Sequence, residues 1–264
     1  MTKICVAGAT GRMGSILIQE AYNIGYEVVG AVTALNDPAL GKTLKNLGIY
    51  DSNVEVVSPN KIEDAVKKAD VYFSFTTPEA ELQNIPQITH LGVPIIIGTT
   101  GFTKEQEKKI HSTVSGKVPT IIASNFALGI NLLLKIINVC ELLPVDYNFT
   151  IIEGHHIGKK DAPSGTAKKL GEKISKIRGY NKTIHGREGV SPRSETELEI
   201  LSFRGGGLPG VHEIIINGPH EMIKIEHLAF SRRVFAQGAL FAAEWLIKRK
   251  KPEIFTMEDV FGNY

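Results

Sequence analysis

The chain has 264 residues, enough for one large domain or two modest ones, each with its own core. Apolar and charged fractions of 42 % and 22 % are those of a globular protein in water, which argues against a disordered chain or a membrane bundle. A formal net charge of +2 implies no broad pull toward nucleic acid or membrane, so any anion site has to be local. Cys5 and Cys140 lie in apolar stretches without a CxxC or Cys–His neighbour. They read as two buried reduced thiols, not as a disulfide or a zinc site, and no metal is expected. The chain enters Ile4-Cys5-Val6-Ala7 at once, unlike a signal peptide. The apolar region 121–144 is broken by Ser124, Asn125, Asn131, Lys135 and Asn138, too polar for a membrane span. A cytoplasmic location is expected, with neither nucleic acid nor membrane as partner.

From the N-terminus, β-rich runs alternate with helical patterns. Strands are expected at 3–7, 27–32, 54–57, 71–76, 93–98 and 120–123. Several are nearly continuous Val, Ile and Phe, as in strands covered on both faces. Met13, Ile16, Leu17, Ala21 and Ile24 share one helical face, and 61–68 and 103–114 read as further crossover helices. This rhythm predicts an α/β fold, with a Rossmann-type doubly wound parallel sheet over residues 1–126. After Phe126 the pattern changes. A long helix at 128–142, a strand at 148–152 and a helix at 166–178 are followed by strands at 197–203, 213–217 and 222–229. The close spacing of the last three suggests an antiparallel sheet, and residues 127–232 are expected to form a second, α+β domain. A final helix from residue 233, within the segment 233–264, is expected to return to the first domain.

Gly8-Ala9-Thr10-Gly11-Arg12-Met13-Gly14 links the first strand to the first helix. In that context glycines permit a tight turn and close approach of a pyrophosphate, which the helix N-terminus attracts. Arg12 adds a full charge. An acid or a base at the end of the second strand usually reads the adenosine ribose, but here Thr33 and Ala34 follow the strand. Asp37 comes late for that role and Lys42 is a distant candidate for a 2′-phosphate. The expectation is therefore NADH and/or NADPH, with the Thr33 hydroxyl able to bond either. Gly98-Thr99-Thr100-Gly101-Phe102 and Ala123-Ser124-Asn125-Phe126 follow two further strands, where ligands bind in open α/β sheets.

Glu153-Gly154-His155-His156-Ile157-Gly158-Lys159-Lys160-Asp161-Ala162-Pro163-Ser164-Gly165-Thr166 concentrates two His, two Lys and a turn that opens a helix. Ser164 can cap that helix and leave the Gly165 and Thr166 N–H groups for an anion. The pattern suits a carboxylate clamp beside a proton donor. Arg204, before Gly205-Gly206-Gly207, is either one more anion partner or a surface residue on a turn.

These segments resemble the 4-hydroxy-tetrahydrodipicolinate reductase (dihydrodipicolinate reductase) family over almost the whole chain. The resemblance rests on the glycine loop, on Phe75-Thr76-Thr77-Pro78-Glu79-Ala80, on Gly98-Thr99-Thr100-Gly101-Phe102 and on Ser124-Asn125-Phe126-Ala127-Leu128-Gly129. It continues through the His-His segment and Asp259-Val260-Phe261-Gly262. It implies hydride reduction of a cyclic dicarboxylate in lysine and diaminopimelate biosynthesis, and a homotetramer built through the second domain. By resemblance, His155 is a proton donor or acceptor, Lys159 the general acid, and His156, Gly165 and Thr166 substrate contacts. Gly8, Ala9, Thr10, Gly11, Arg12, Met13, Gly98, Thr99, Thr100, Ala123, Ser124, Asn125 and Phe126 match cofactor contacts. Two rival readings share the glycine loop: another two-domain NAD(P)-dependent dehydrogenase, and a nicotinamide-binding regulator without catalysis. Neither needs the His-His…Lys…Ser-Gly-Thr cluster.

Overall fold

The computed structural model describes residues 1–262. The chain divides into two compact units: Met1–Ala127 with the segment from Arg233 onward, and Leu128–Arg232.

The first unit runs β1 (Lys3–Ala7), α1 (Arg12–Asn23), β2 (Glu27–Val32), β3 (Val56–Val57), α2 (Ile62–Val66), β4 (Val71–Ser74), α3 (Pro78–His90), β5 (Ile95–Ile97), α4 (Lys104–Val114) and β6 (Thr120–Ile122). The strands form one parallel sheet, in which β3, β2, β1, β4, β5 and β6 are successive neighbours. Strand order reverses between β1 and β4, the place where open α/β sheets bind ligands. Ile4, Cys5, Val6, Val71, Tyr72, Phe73, Ile95, Ile96 and Ile97 are fully buried, because helices cover both faces. Leu17, Ile18 and Ala21 turn α1 to the core, whereas Ile24 caps its C-terminus and stays exposed.

Two features of this unit differ from the sequence expectation. Helix α3 was absent from it, although Thr77 caps it through the Ala80 N–H and Pro78 opens it. Its buried face includes Glu81, Asn84 and Thr89, and Pro86 lies inside, so the apolar period is masked. The C-terminal segment is also not one helix. Helix α7 spans Arg233–Leu246, and the run Lys248-Arg249-Lys250-Lys251-Pro252 ends it. Then β12 (Ile254–Phe255) adds to the sheet beside β6, and α8 (Met257–Val260) follows a Thr256–Asp259 capping box. Residues 263–264 of that expectation lie outside the described residues. Helix α7 packs on α1 through Gln237 and Glu20, 2.8 Å apart. Gly238 allows the close passage of α7 over Phe126, since a Cβ there would lie 1.8 Å from the Phe126 carbonyl oxygen.

The second unit contains α5 (Leu128–Val139), β7 (Asn148–His155), α6 (Gly165–Arg178), β8 (Lys182–Ile184), β9 (Glu197–Arg204), β10 (Val211–Asn217) and β11 (Met222–Leu228). Its sheet order is β11-β10-β7-β9-β8. The expected antiparallel run is corrected to a mixed sheet: β7 lies between β9 and β10, parallel to β9 and antiparallel to β10. The connection 205–210 thus spans a strand instead of turning a hairpin. Phe149, Ile151, Leu198, Ile200, Ile214 and Ile216 of the sheet and Leu170 and Ile174 of α6 are buried, and α6 packs on β7 and β9. Gly171 lets α6 approach closely, as a Cβ there would meet Ile200 at 2.7 Å.

Among the described residues no helix is long and apolar enough to cross a membrane. Cys5 and Cys140 are both buried and free.

Candidate active site

In the first unit, the loops after β1, β4, β5 and β6 come together at the C-terminal ends of the strands. Gly8 has a positive φ of 74°, and a Cβ there would lie 2.3 Å from the Phe75 carbonyl oxygen. A Cβ on Gly14 would lie 2.1 Å from the Gly8 carbonyl oxygen. Only hydrogen fits at these two positions, so the loop is folded into a shallow cradle at the start of α1. Gly11 is the N-cap, Arg12 is exposed, and no acid occupies the first turn. That arrangement fits a dinucleotide pyrophosphate. Ala9 is fully buried and ties the loop to β2 by donating its N–H to Val32. Met13 is half-buried beside it.

The neighbouring loops are fixed to one another by aromatic packing. Phe75 meets Phe126 edge-on at 6.1 Å, and its ring fills the space a Cβ on Gly98 would take. The Thr99 hydroxyl is not directed to solvent: it donates to buried Glu81 and accepts the Thr76 N–H at 2.9 Å. Burial raises the Glu81 carboxyl above its usual range, against the hydroxyls of Ser74, Thr99 and Thr76. Thr100 and Ser124 are exposed, Ala123 is half-buried, and the Asn125 side chain accepts the Ala127 N–H at 2.8 Å.

The end of β2 departs most from the sequence reading. The chain turns back after Thr33, and the Asp37 carboxylate accepts hydrogen bonds from the hydroxyls of Thr10 and Thr33, each at 2.6 Å. An acid therefore does stand beside the glycine loop, supplied four residues beyond Thr33. A reading that counts positions from the strand end misses it, because the turn at Leu35 and Asn36 sets its place.

In the second unit, Phe149, Ile151, Glu153 and His155 alternate along β7 and face the buried side. Glu153 is completely buried, with Ser202 beside it on β9 and His212 beside it on β10. One of its oxygens accepts from the Ser164 N–H at 3.1 Å and from Arg204 Nη2 at 3.0 Å; the other meets His155 Nδ1 at 2.5 Å. Burial alone would raise this carboxyl, but the bonds from Arg204, Ser202 and His155 outweigh it and hold it below its usual range. Burial lowers the His155 imidazole, against the pull of Glu153. Glu153 is thus ionised and His155 neutral near pH 7. The Nδ1 proton must point to the carboxylate, leaving Nε2 as the lone-pair nitrogen.

Ser164 joins this network to α6. Its hydroxyl accepts the Ala167 N–H and meets His212 Nε2 at 3.1 Å. Glu153, His155 and His212 bring ligand-type atoms within 4.8 Å of one another. Those atoms already serve one another, Arg204 and Ser164, so the cluster reads as a hydrogen-bond network. Sequence reasoning gave no role to Glu153 or His212 and left Arg204 between two alternatives. The period-2 continuation of Phe149 and Ile151 into Glu153 and His155 was the available signal for Glu153.

Lys159 is partly buried, and its Nζ lies 2.7 Å from Asp161 Oδ1. Partial burial would raise the Asp161 carboxyl, but Lys159, its own backbone N–H and the Gly165 N–H outweigh this and lower it. Gly165 and Lys159 therefore converge on one carboxylate, that of Asp161; the Gly165 N–H is engaged by it, and Thr166 has a partner of its own. His156 is half-buried on the same turn, its carbonyl accepting the Lys159 N–H at 3.1 Å.

Burial, and then the neighbouring His155, push the His212 imidazole down to about 3. In the unfolded chain it protonates near its ordinary value, about 6.5. Between these values the unfolded state binds more protons, so stability falls as pH drops through the window, by up to about 1.4 kcal/mol per pH unit. Denaturant midpoints at pH 7 and pH 5 should show the lower value at pH 5, with His212→Gln reducing the difference. Equal midpoints for the wild type would contradict this.

A parallel sheet with a glycine cradle, in one chain with a mixed-sheet unit carrying an acid–base cluster, defines a nicotinamide-dependent oxidoreductase. Residues 2–126 match the family model of the dihydrodipicolinate reductase N-terminus, and residues 129–261 that of its C-terminus. The chain is 40 % identical to a 4-hydroxy-tetrahydrodipicolinate reductase of Methanosarcina acetivorans, over 99 % of this chain and 100 % of that one. It is 38 % identical to one of Archaeoglobus fulgidus, over 97 % of this chain and 98 % of that one. A dipicolinate-bound dihydrodipicolinate reductase from Paenisporosarcina sp. TG-14 superposes with a TM-score of 0.75 at 25 % identity, covering 98 % and 99 % of the two chains. The chain belongs to the dihydrodipicolinate reductase family.

Proposed function

We propose that this protein reduces 4-hydroxy-tetrahydrodipicolinate to tetrahydrodipicolinate with NADH or NADPH, in lysine and diaminopimelate biosynthesis. The observation that carries this reading is the network of His155, Arg204 and the Ser164 N–H that opens α6 around the buried Glu153 carboxylate, with the Lys159–Asp161 pair on the turn before that helix. In this reading residues 1–126, with the C-terminal segment, bind the dinucleotide, and residues 127–232 bind the substrate. Gly8, Ala9, Thr10, Gly11, Arg12 and Met13 hold the pyrophosphate. Gly98, Thr99, Thr100, Ala123, Ser124, Asn125 and Phe126 border the nicotinamide end, Thr99 through its backbone because its hydroxyl is bound to Glu81. A bound reduced nicotinamide supplies the hydride.

The chain's own residues do the rest. The substrate's 4-hydroxyl leaves as water to give a conjugated ring, hydride adds at that carbon, and Lys159 protonates the electron-rich carbon beside it, its cation stabilising the negative charge that develops there. Gly165 and Thr166 hold a substrate carboxylate. Support comes from Asp161, whose carboxylate already meets Lys159 and the Gly165 N–H; the substrate's would exchange with it. His156 contacts the ring, and the lone pair on Nε2 of His155 acts as proton acceptor beside it. Fixing these groups on a rigid strand and helix supplies orientation as well as charge. Support for a homotetramer comes from edge strand β11, where Met222, Ile223 and Leu228 are exposed, and from exposed Phe203 on β9. We place the protein in the cytoplasm.

Substrate generated in the cuvette by its synthase should cause oxidation of NADH or NADPH, read as loss of absorbance at 340 nm. Absence of substrate-dependent oxidation with both cofactors would reject the proposed function.

A further inference from the structure

We propose that Asp37 sets the choice between NADH and NADPH by reading the adenosine ribose from beyond the end of β2. This inference rests on the dinucleotide reading above and names the residue that gives that site its preference.

The strand ends at Val32, and Thr33 and Ala34 carry no charge. The chain then turns, with the Asp37 N–H donating to the Ala34 carbonyl at 3.1 Å. Asp37 Oδ2 accepts from Thr10 in the glycine loop and from Thr33, while Oδ1 accepts the Ala39 N–H at 2.8 Å. The carboxylate is therefore fixed between the glycine loop and the strand end, where a ribose lies when its pyrophosphate occupies the loop. The bond from Thr10, then those from Thr33 and Ala39, hold the carboxyl below its usual range, so it is ionised at neutral pH.

A carboxylate offers about four acceptor positions, and three are taken. The remaining position, on Oδ1, suits a hydroxyl that donates. The 2′-hydroxyl of NADH is such a donor. The 2′-phosphate of NADPH brings no donor when ionised and places like charge beside a fixed anion. Lys42 is the counterweight: its charge reaches Asp37, but its side chain belongs to an exposed residue and solvent screens it. A charge-assisted bond gained by one cofactor and a repulsion met by the other together predict discrimination of about tenfold or more.

The test is direct binding without substrate, by titrating NADH and NADPH into the protein and following nicotinamide fluorescence. The wild type should bind NADH about tenfold more tightly or better. Asp37→Asn keeps the shape and removes the charge; it should weaken NADH, tighten NADPH and bring the two within about threefold. Asp37→Glu restores an acid and should keep the direction of preference, which covers the case of an unfolded Asn variant. Lys42→Ala should leave NADH ahead. Wild-type protein that binds NADPH as tightly as NADH, or an Asp37→Asn variant with an unchanged ratio, overturns the assignment alone. Failure of the wild type to bind either dinucleotide overturns the glycine-loop reading and the assignment with it.

Discussion

Lys159→Ala is expected to lower kcat by about 10²–10⁴-fold, the usual contribution of a positioned general acid, while nicotinamide binding stays close to wild type. The separation follows from where the residue lies. Lys159 follows β7 in the second unit, and the glycine cradle belongs to the first. The fold should tolerate the change. The Lys159–Asp161 pair is partly exposed, with side-chain exposures of 23 % and 51 %, so its loss costs about 1 kcal/mol or less. Steady-state rates, dinucleotide titrations and a thermal melt distinguish the cases. A variant with near-wild-type kcat would remove Lys159 from the proton transfer. A variant that loses both turnover and folding would make the residue structural instead.

Glu153→Ala should have the largest effect on stability, about 3 kcal/mol or more. Four donors lose their acceptor at once: His155 Nδ1, the Ser164 N–H that opens α6, Arg204 Nη2 and the Ser202 hydroxyl. Arg204 would be left mostly buried without its counter-charge, and His155 without the bond that fixes its tautomer. Glu153→Gln keeps an acceptor in place and should cost less stability than the alanine variant, yet it should still disturb the pH profile of kcat. Denaturant midpoints and pH–rate profiles check both variants. Stability of Glu153→Ala within about 0.5 kcal/mol of wild type would show that the buried carboxylate does not organise this site.

The sheet of the first unit was legible because its strands are short, apolar and separated by turn residues; β1 and β2 have the bounds their sequence suggests. Helix α3 was not, because Glu81 faces inward to accept from the hydroxyls behind the loops and Asn84 is also buried, and polar residues at core positions erase the apolar period. The second sheet was misjudged for a related reason. Strand spacing reports how close strands are in sequence, not which strand fills the gap between two others, and β7 does so between β9 and β10. The site shows the same division. The His-His segment stands out by composition alone. Asp37 and His212 acquire their neighbours only through a turn and a cross-strand register, and neither is written in local spacing.

The central claim is hydride delivery from a nicotinamide to the cyclic dicarboxylate. It is tested most directly with reduced cofactor deuterated at the transferring position of the nicotinamide ring, together with substrate formed in place by its synthase, followed by mass spectrometry of the product. The account predicts tetrahydrodipicolinate one mass unit heavier than that made with unlabelled cofactor, formed in equal amount to the cofactor oxidised, and formed about 10²–10⁴-fold more slowly with Lys159→Ala. Product without deuterium, or cofactor oxidation without this product, would contradict it.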